Sequence, residues 1–169
     1  MQHFDDGIIA DFLRRSYFAV DGLWFVRLEA EHSYNEALKL DEQVWRLMPK
    51  IQVKKARSLL STQGGSLTDF IRCFSLKFTA EGYDYEVNQP AGSEVEVDVS
   101  ACPWWAILKR SGREAMAKDI SDAICRNEFA GFAKEFSEAI SFDLEERICT
   151  GSRRCLLRFR VKEQVNQEE

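Results

Sequence analysis

Four of the five cysteines in this 169-residue chain, Cys102, Cys125, Cys149 and Cys155, lie in its C-terminal half, each at the edge of a segment that reads as regular structure. Brought together by the fold, four thiolates would make a tetrahedral zinc site or hold an iron–sulfur cluster. Kept apart, they would be small buried hydrophobes, the usual fate of free cysteine. Spacing does not choose between these. More than twenty positions separate Cys102 from Cys125, and again Cys125 from Cys149, and no Cys-x-x-Cys knuckle occurs, so a metal site rests on tertiary structure alone.

Cys102 also reads as a nucleophile. It precedes Pro103 at the start of a helical segment, and a thiol at a helix N-cap feels the positive end of the helix dipole, which lowers its pKa. A base is harder to find: the two histidines, His3 and His32, fall near the N-terminus and at a helix end. The aromatic residues offer a different chemistry. Asp21, Trp24, Trp45, Trp105 and Phe132 are the candidate lining of an apolar ligand pocket between the helical half and a sheet. Plain core explains most of the aromatics better. A carboxylate of Asp21 or Asp41, if buried beside Trp24 or Trp45, needs a partner. Arg153, Arg154, Arg158 and Arg160 could bind an anion, but pairing Arg158 with Glu145 and Arg160 with Asp143 across a hairpin makes a simpler charge ladder.

These residues must be positioned by two differently patterned halves. Up to about Thr79 the apolar positions recur in steps of three and four, from Ile8, Ile9 and Phe12 through Trp24 and Leu28 to Val44, Trp45 and Met48, which predicts four or five helices. Gly22 marks a bend, Pro49 sits inside or between helices, and Ser66 caps a helix over 67–76. Beyond Thr79 the pattern alternates. Tyr83, Tyr85 and Val87 face Val95, Val97 and Val99 across a turn at 88–93, giving a hairpin. A helix from Pro103 to Arg110 stops at Ser111–Gly112. A second runs over 121–140 with Cys125, Phe129, Phe132 and Phe136 on its core stripe, and Gly131 admits a close neighbour. Strands over 142–149 and 154–161 close the chain around a two-residue Gly151–Ser152 turn. In that register Cys155 faces the core and Cys149 the other side, unless a β-bulge near the turn returns both to one face. The expected fold class is α+β: a helical half, then β-β-α-α-β-β, an antiparallel four-stranded sheet with helices on one face.

Composition bounds the rest. A hydrophobic fraction of 45% with twelve Phe, four Tyr and four Trp supplies a core without disulfides, and 169 residues suit a single domain ending in a polar tail, 163–169. The net charge of −5 disfavours nucleic acid. No stretch reaches membrane-spanning length, and Met1 to Asp11 carry three acids and no Lys or Arg, unlike a secretory signal, so a cytoplasmic location and no membrane partner are expected.

Asp21-Gly22-Leu23-Trp24-Phe25, followed by Ala37, Leu40-Asp41 and Val44-Trp45, resembles an uncharacterised bacterial and archaeal domain family. The second half, with Cys102-Pro103, Cys125, Cys149-Thr150-Gly151 and Cys155, resembles the L-2-amino-thiazoline-4-carboxylate hydrolase family and the 4-vinyl reductase small-molecule-binding domain. What the resemblance implies is a domain that binds a small apolar or sulfur-containing molecule, with zinc or an iron–sulfur cluster as the cofactor if the thiols converge. It also implies a homodimer, though no stripe stands out as its interface. The alternatives are a hydrolase that opens a thiazoline-type cyclic amidine with Cys102 as nucleophile, and a protein-interaction module without a small ligand.

Overall fold

The computed structural model describes residues 3–162; the expected polar tail at 163–169 lies outside them. The helical half is built from three long helices, not four or five: α1 (Asp6–Glu31), α2 (Tyr34–Leu59) and α3 (Leu67–Glu81). Each begins at a side-chain cap that satisfies a free amide of the first turn. Asp5 Oδ1 accepts from Gly7 N at 2.6 Å, Ser33 Oγ from Glu36 N at 3.2 Å and Ser66 Oγ from Asp69 N at 3.1 Å. At Gly22, where a bend is expected, α1 runs on without a break. Pro49 lies inside α2 and is buried, facing Gly131, where a Cβ would stand 3.1 Å from Pro49 Cγ. The missing side chain of one helix thus receives the proline ring of the other, as the expected close approach at Gly131 requires. The helix starting at Ser66 extends past Leu76 to Glu81 and ends at Gly82, whose φ of +78° no β-carbon would adopt cheaply.

Strands β1 (Asp84–Ala91) and β2 (Glu94–Ala101) form the first hairpin, with a turn at 92–93, tighter than the expected 88–93. After α4 (Pro103–Arg110), the expected continuous helix over 121–140 is replaced by several pieces. A 3₁₀ turn (Glu114–Met116) leads into the short α5 (Ala117–Ile120), a π turn (Ser121–Cys125) and α6 (Arg126–Phe136), and Ile140 already opens the next strand. The π turn adds a residue to the helical repeat, and Cys125 at its end still packs against the core that Phe129, Phe132 and Phe136 share. Strands β3 (Ile140–Glu146) and β4 (Cys155–Val161) complete a four-stranded antiparallel sheet in the order β1-β2-β4-β3.

This is the expected α+β layout, with helices on one sheet face. Phe70, Phe74 and Phe78 repeat every fourth residue along α3 and face Val95, Val97, Leu157 and Phe159 of the sheet and Phe129 and Phe132 of α6. Phe70 and Phe74 lie 4.7 and 4.9 Å from the Phe159 ring. Each ring so buried contributes about 2–3 kcal/mol. Lys77 is buried in this apolar layer, held by Glu81 and Glu128 at 2.8 Å each. The opposite sheet face carries the arginines. Glu94 and Glu96 of β2 stand opposite Arg160 and Arg158, and Arg154 reaches Asp98 and Glu146. Arg158–Glu145 at 3.0 Å and Arg160–Asp143 at 2.7 Å are ion pairs as expected, but on the diagonal: the register is two residues away from the two-residue-turn pairing, with Arg158 opposite Asp143. Carboxylates therefore occupy Arg154, Arg158 and Arg160, which leaves an anion little to replace.

Candidate functional site

The last hairpin departs from its expected form at the point that matters for the cysteines. Its strands end at Glu146 and begin at Cys155, a loop with a 3₁₀ turn (Ile148–Thr150) replaces the tight turn, and a bulge interrupts the ladder between Leu144 and Glu146. The bulge, sought as the device that would return Cys149 to the side of Cys155, is present, and the loop folds back over the core side. Cys155 Sγ accepts from Ile148 N at 3.3 Å, which holds the loop down.

As a result all four C-terminal cysteines line one pocket. Cys155 opens β4, Cys149 sits in the 3₁₀ turn, Cys125 ends the π turn and Cys102 caps α4, its Sγ accepting from Trp105 N at 3.5 Å. Cys73, the fifth, is buried in the main core away from them. Val99, Leu144 and Leu157 form the sheet side of the pocket, Phe78 and Phe129 its floor, and Trp104, Trp105 and Leu108 of α4 its outer wall. The cavity is about 60 Å³, room for about two water molecules. Polar groups are few: Tyr83, Ser121 and Arg147 besides the thiols, with no carboxylate or imidazole in the lining. Arg147 donates to Ser121 Oγ at 3.3 Å and pairs with Asp122, which places one cation at the rim.

The four thiols share this pocket. Among the described residues, no group of three or more His, Cys, Asp and Glu side chains is disposed to hold an ion. Burial pushes the Cys125 thiol well above its ordinary pKa, raises Cys102 and takes Cys155 up to about 11. Where no cation is bound beside them these groups stay protonated at neutral pH, whereas a nucleophile must be a thiolate. For Cys102 this reverses the expectation from its cap position. The amides of Trp105 and Trp104 and the Tyr83 hydroxyl do lower its pKa, but desolvation exceeds them. His32 lies exposed at the end of α1, 3.7 Å from Glu36, and His3 is exposed; neither lines the pocket.

Of the five residues expected to line a ligand pocket, Trp105 does so. Phe132 is fully buried in the main core and Trp24 points outward from α1, 67% exposed. Trp45 belongs to an aromatic cluster with Tyr17 and Trp104, at 6.3 and 5.4 Å. That cluster ties only the first turn of α4 to the helical half, where Trp104 also packs on Phe18 of α1 at 4.4 Å. Asp21 lies outside the pocket but is one of a half-buried pair. Burial raises its pKa to about 6; burial and the Asp21 charge raise Asp41 to about 7, and the Trp45 indole relieves both slightly. Sequence reading missed Tyr83, Leu108, Ser121 and Arg147 as lining. Only the basic residue directly after the β3 pattern carried any signal.

Residues 6–167 match a family described only as a family of unknown function, DUF6125. No curated protein matches the chain. Among solved structures, the fold is similar to a trafficking protein particle complex subunit 3 from Naegleria fowleri, crystallised covalently bound to palmitic acid. The two share 14% sequence identity at a TM-score of 0.52, over 94% of this chain and 98% of that one. At that identity the likeness is one of fold.

Proposed function

The chain belongs to the family of unknown function DUF6125, and we propose that it is a binding domain for a small apolar molecule with one polar end, such as an acyl chain, held in the four-cysteine pocket. The observation that carries this reading is the lining itself: apolar on every wall, with Arg147 and Ser121 at one edge. An alkyl segment would replace protein–void contacts inside, and a carboxylate or ester oxygen would meet the Arg147 guanidinium. The cavity accepts only a few carbons unless its wall moves. That wall suits movement, since α4 is eight residues long with none fully buried, and the facing segment over 114–125 mixes 3₁₀, α and π turns. The palmitic acid reported for the similar subunit supports an apolar chain at this fold. Protonated thiols favour non-covalent binding here.

The resemblance of the second half to thiazoline hydrolases and vinyl reductase domains agrees with a small ligand. A lining without acid or imidazole favours binding over ring opening. Titration with a fluorescent fatty acid, displaced by palmitate, tests the reading. Saturable one-to-one binding is expected, weakened about tenfold or more in Leu108→Trp, the scale on which lost apolar space is felt in a pocket. Intact mass after denaturation should be unchanged. Absence of saturable binding, or binding indifferent to Leu108→Trp, would overturn it.

A further inference from the structure

Helices α1 and α2 are joined by two residues, His32 and Ser33, and run antiparallel as a hairpin. On α1 the acid Asp21 follows Tyr17 by one turn, and on α2 the acid Asp41 precedes Trp45 by one turn. Tyr17 and Trp45 meet at 6.3 Å, so the antiparallel course sets Asp21 across from Asp41. Both carboxyls are half-buried, and the group that eases their charges is the Trp45 indole rather than a cation. The neighbouring elements add more acid than base. Helix α3 brings Lys77 and Glu81 and α6 brings Glu128, but Lys77 is engaged at 2.8 Å by each of those two acids. Gln52 of α2 donates to Glu81 at 3.2 Å, Arg14 of α1 is held by Asp11, and α4 brings the Trp104 ring. Burial raises Glu128 against the pull of Lys77. The Tyr17 hydroxyl, closed off from solvent, has no protein group as hydrogen-bond partner. Burial and the nearby charges of Glu81, Glu128, Asp21 and Asp41 keep it a neutral phenol. Four carboxyls thus share this junction with one ammonium.

We propose that Asp21 and Asp41 form a pH-sensitive latch: with a proton on the pair, α1 closes on α2 and pins the first turn of α4 through Trp45 and Trp104; with both ionised, that turn is released and the four-cysteine pocket opens. The mechanical link is short. Trp45 serves both carboxyls and stands edge-on to Trp104, 5.4 Å away at 90°. Phe18 of α1 holds Trp104 from its own side at 4.4 Å, and Trp104 lines the pocket. Two like charges across a half-buried seam repel, and one indole N–H cannot satisfy both, so the seam eases by parting and the ring lodged against it moves. The sign follows from the acids. Burial takes Asp21 to about 6, and burial with the Asp21 charge takes Asp41 to about 7, both from 3.8. The closed form therefore binds protons more tightly than an open, hydrated one, and closure weakens as pH climbs through 6 and 7. By reciprocity, a ligand that opens the wall releases a proton, so its affinity rises with pH. The latch itself needs no ligand; its link to affinity rests on the pocket reading.

Hydrogen–deuterium exchange over residues 102–108 tests the latch without a ligand. Wild type, Asp21→Asn and Asp41→Asn are compared at matched pH, so that the intrinsic pH dependence of exchange cancels. At about pH 5 the three proteins should exchange alike. At about pH 8 the wild type should exchange faster by about tenfold or more, the effect of one unit of proton linkage. The core segment over 70–78 should stay equally protected in all three. Wild type alone, corrected for the intrinsic rate, should lose protection over 102–108 as pH rises, a readout independent of any variant. An uncharged fluorescent fatty alcohol, whose own ionisation plays no part, should bind wild type about tenfold more tightly at about pH 8 than at about pH 5, a gain that Asp41→Asn lacks. Protection that stays flat with pH, or falls equally in both Asn variants, overturns the latch even if the alcohol binds. Protection that falls as expected while the alcohol fails to bind upholds the latch and removes the pocket reading instead.

Discussion

The phenylalanine core under the sheet and the thiol-lined pocket beside it are built from the same kinds of side chain and even share five, Phe78, Val99, Phe129, Leu144 and Leu157, yet one is closed and the other is not. The difference lies in their walls. Long regular elements enclose the core: α3, α6 and the two central strands, whose side chains repeat at fixed intervals and interdigitate. The pocket is enclosed on its outer side by an eight-residue helix, a chain of irregular turns and a loop folded back by a bulge. Such elements present apolar groups without a common period, so they pack less completely. Cysteine suits such a place, being small and weakly polar.

The contrast can be broken most severely from the core side. Phe74→Ala should cost about 4 kcal/mol in chemical denaturation, because rigid neighbours cannot collapse onto the gap. Lys77→Met should cost about 3 kcal/mol at neutral pH, because Glu81 and Glu128 would lose the cation that holds them in an apolar layer. Part of that loss should return in acid as the two carboxyls protonate.

A smaller effect separates the α1–α2 seam from both. Asp21 and Asp41 have folded pKa values of about 6 and about 7, raised from 3.8, so the native state binds these protons more tightly than the unfolded chain. Their favourable contribution is whole below about pH 4 and is lost as pH rises through 6 to 7. Asp41→Asn should therefore stabilise the protein by about 1 kcal/mol at pH 8, after allowance for partial solvent screening, and flatten the fall in Tm between pH 5 and 8. An unchanged pH slope would show that the seam holds both carboxylates ionised. Smallest of all, Leu108→Ala on the pocket wall should cost about 0.5 kcal/mol or less, since that half-exposed helix can adjust. A loss as large as that of Phe74→Ala would show the pocket to be ordinary core.

Much of the fold was legible in the sequence because its signals are local. The change of period near Thr79, the caps at Ser66 and Cys102–Pro103, the stop at Ser111–Gly112 and the parity of the last hairpin all follow from neighbouring residues. What was lost depends on contacts distant in sequence. Nothing near Ser121 announces a π turn, and no local rule places a bulge at Glu145, so the convergence of Cys149 with Cys155 stayed undecided. Trp24 read as pocket lining because periodicity shows that a face is apolar without showing what covers it. Cys102 was rightly placed at a helix cap, but its ionisation is governed by burial, which the cap position does not reveal. Lys77, between Phe74 and Phe78, carried a signal in retrospect: a lone cation on an apolar stripe needs acids nearby.

The central claim is that the four-cysteine cavity opens to take an apolar chain. Trp104 and Trp105 form its outer wall, and of the four tryptophans Trp105 can be replaced by Phe to isolate the local change. The direct measurement is the intrinsic fluorescence difference between wild type and Trp105→Phe during titration with palmitate. The account predicts a saturable change at one equivalent that Trp105→Phe largely removes and Leu108→Trp weakens. A flat titration in the wild type, or an unaltered change in Trp105→Phe, would contradict it.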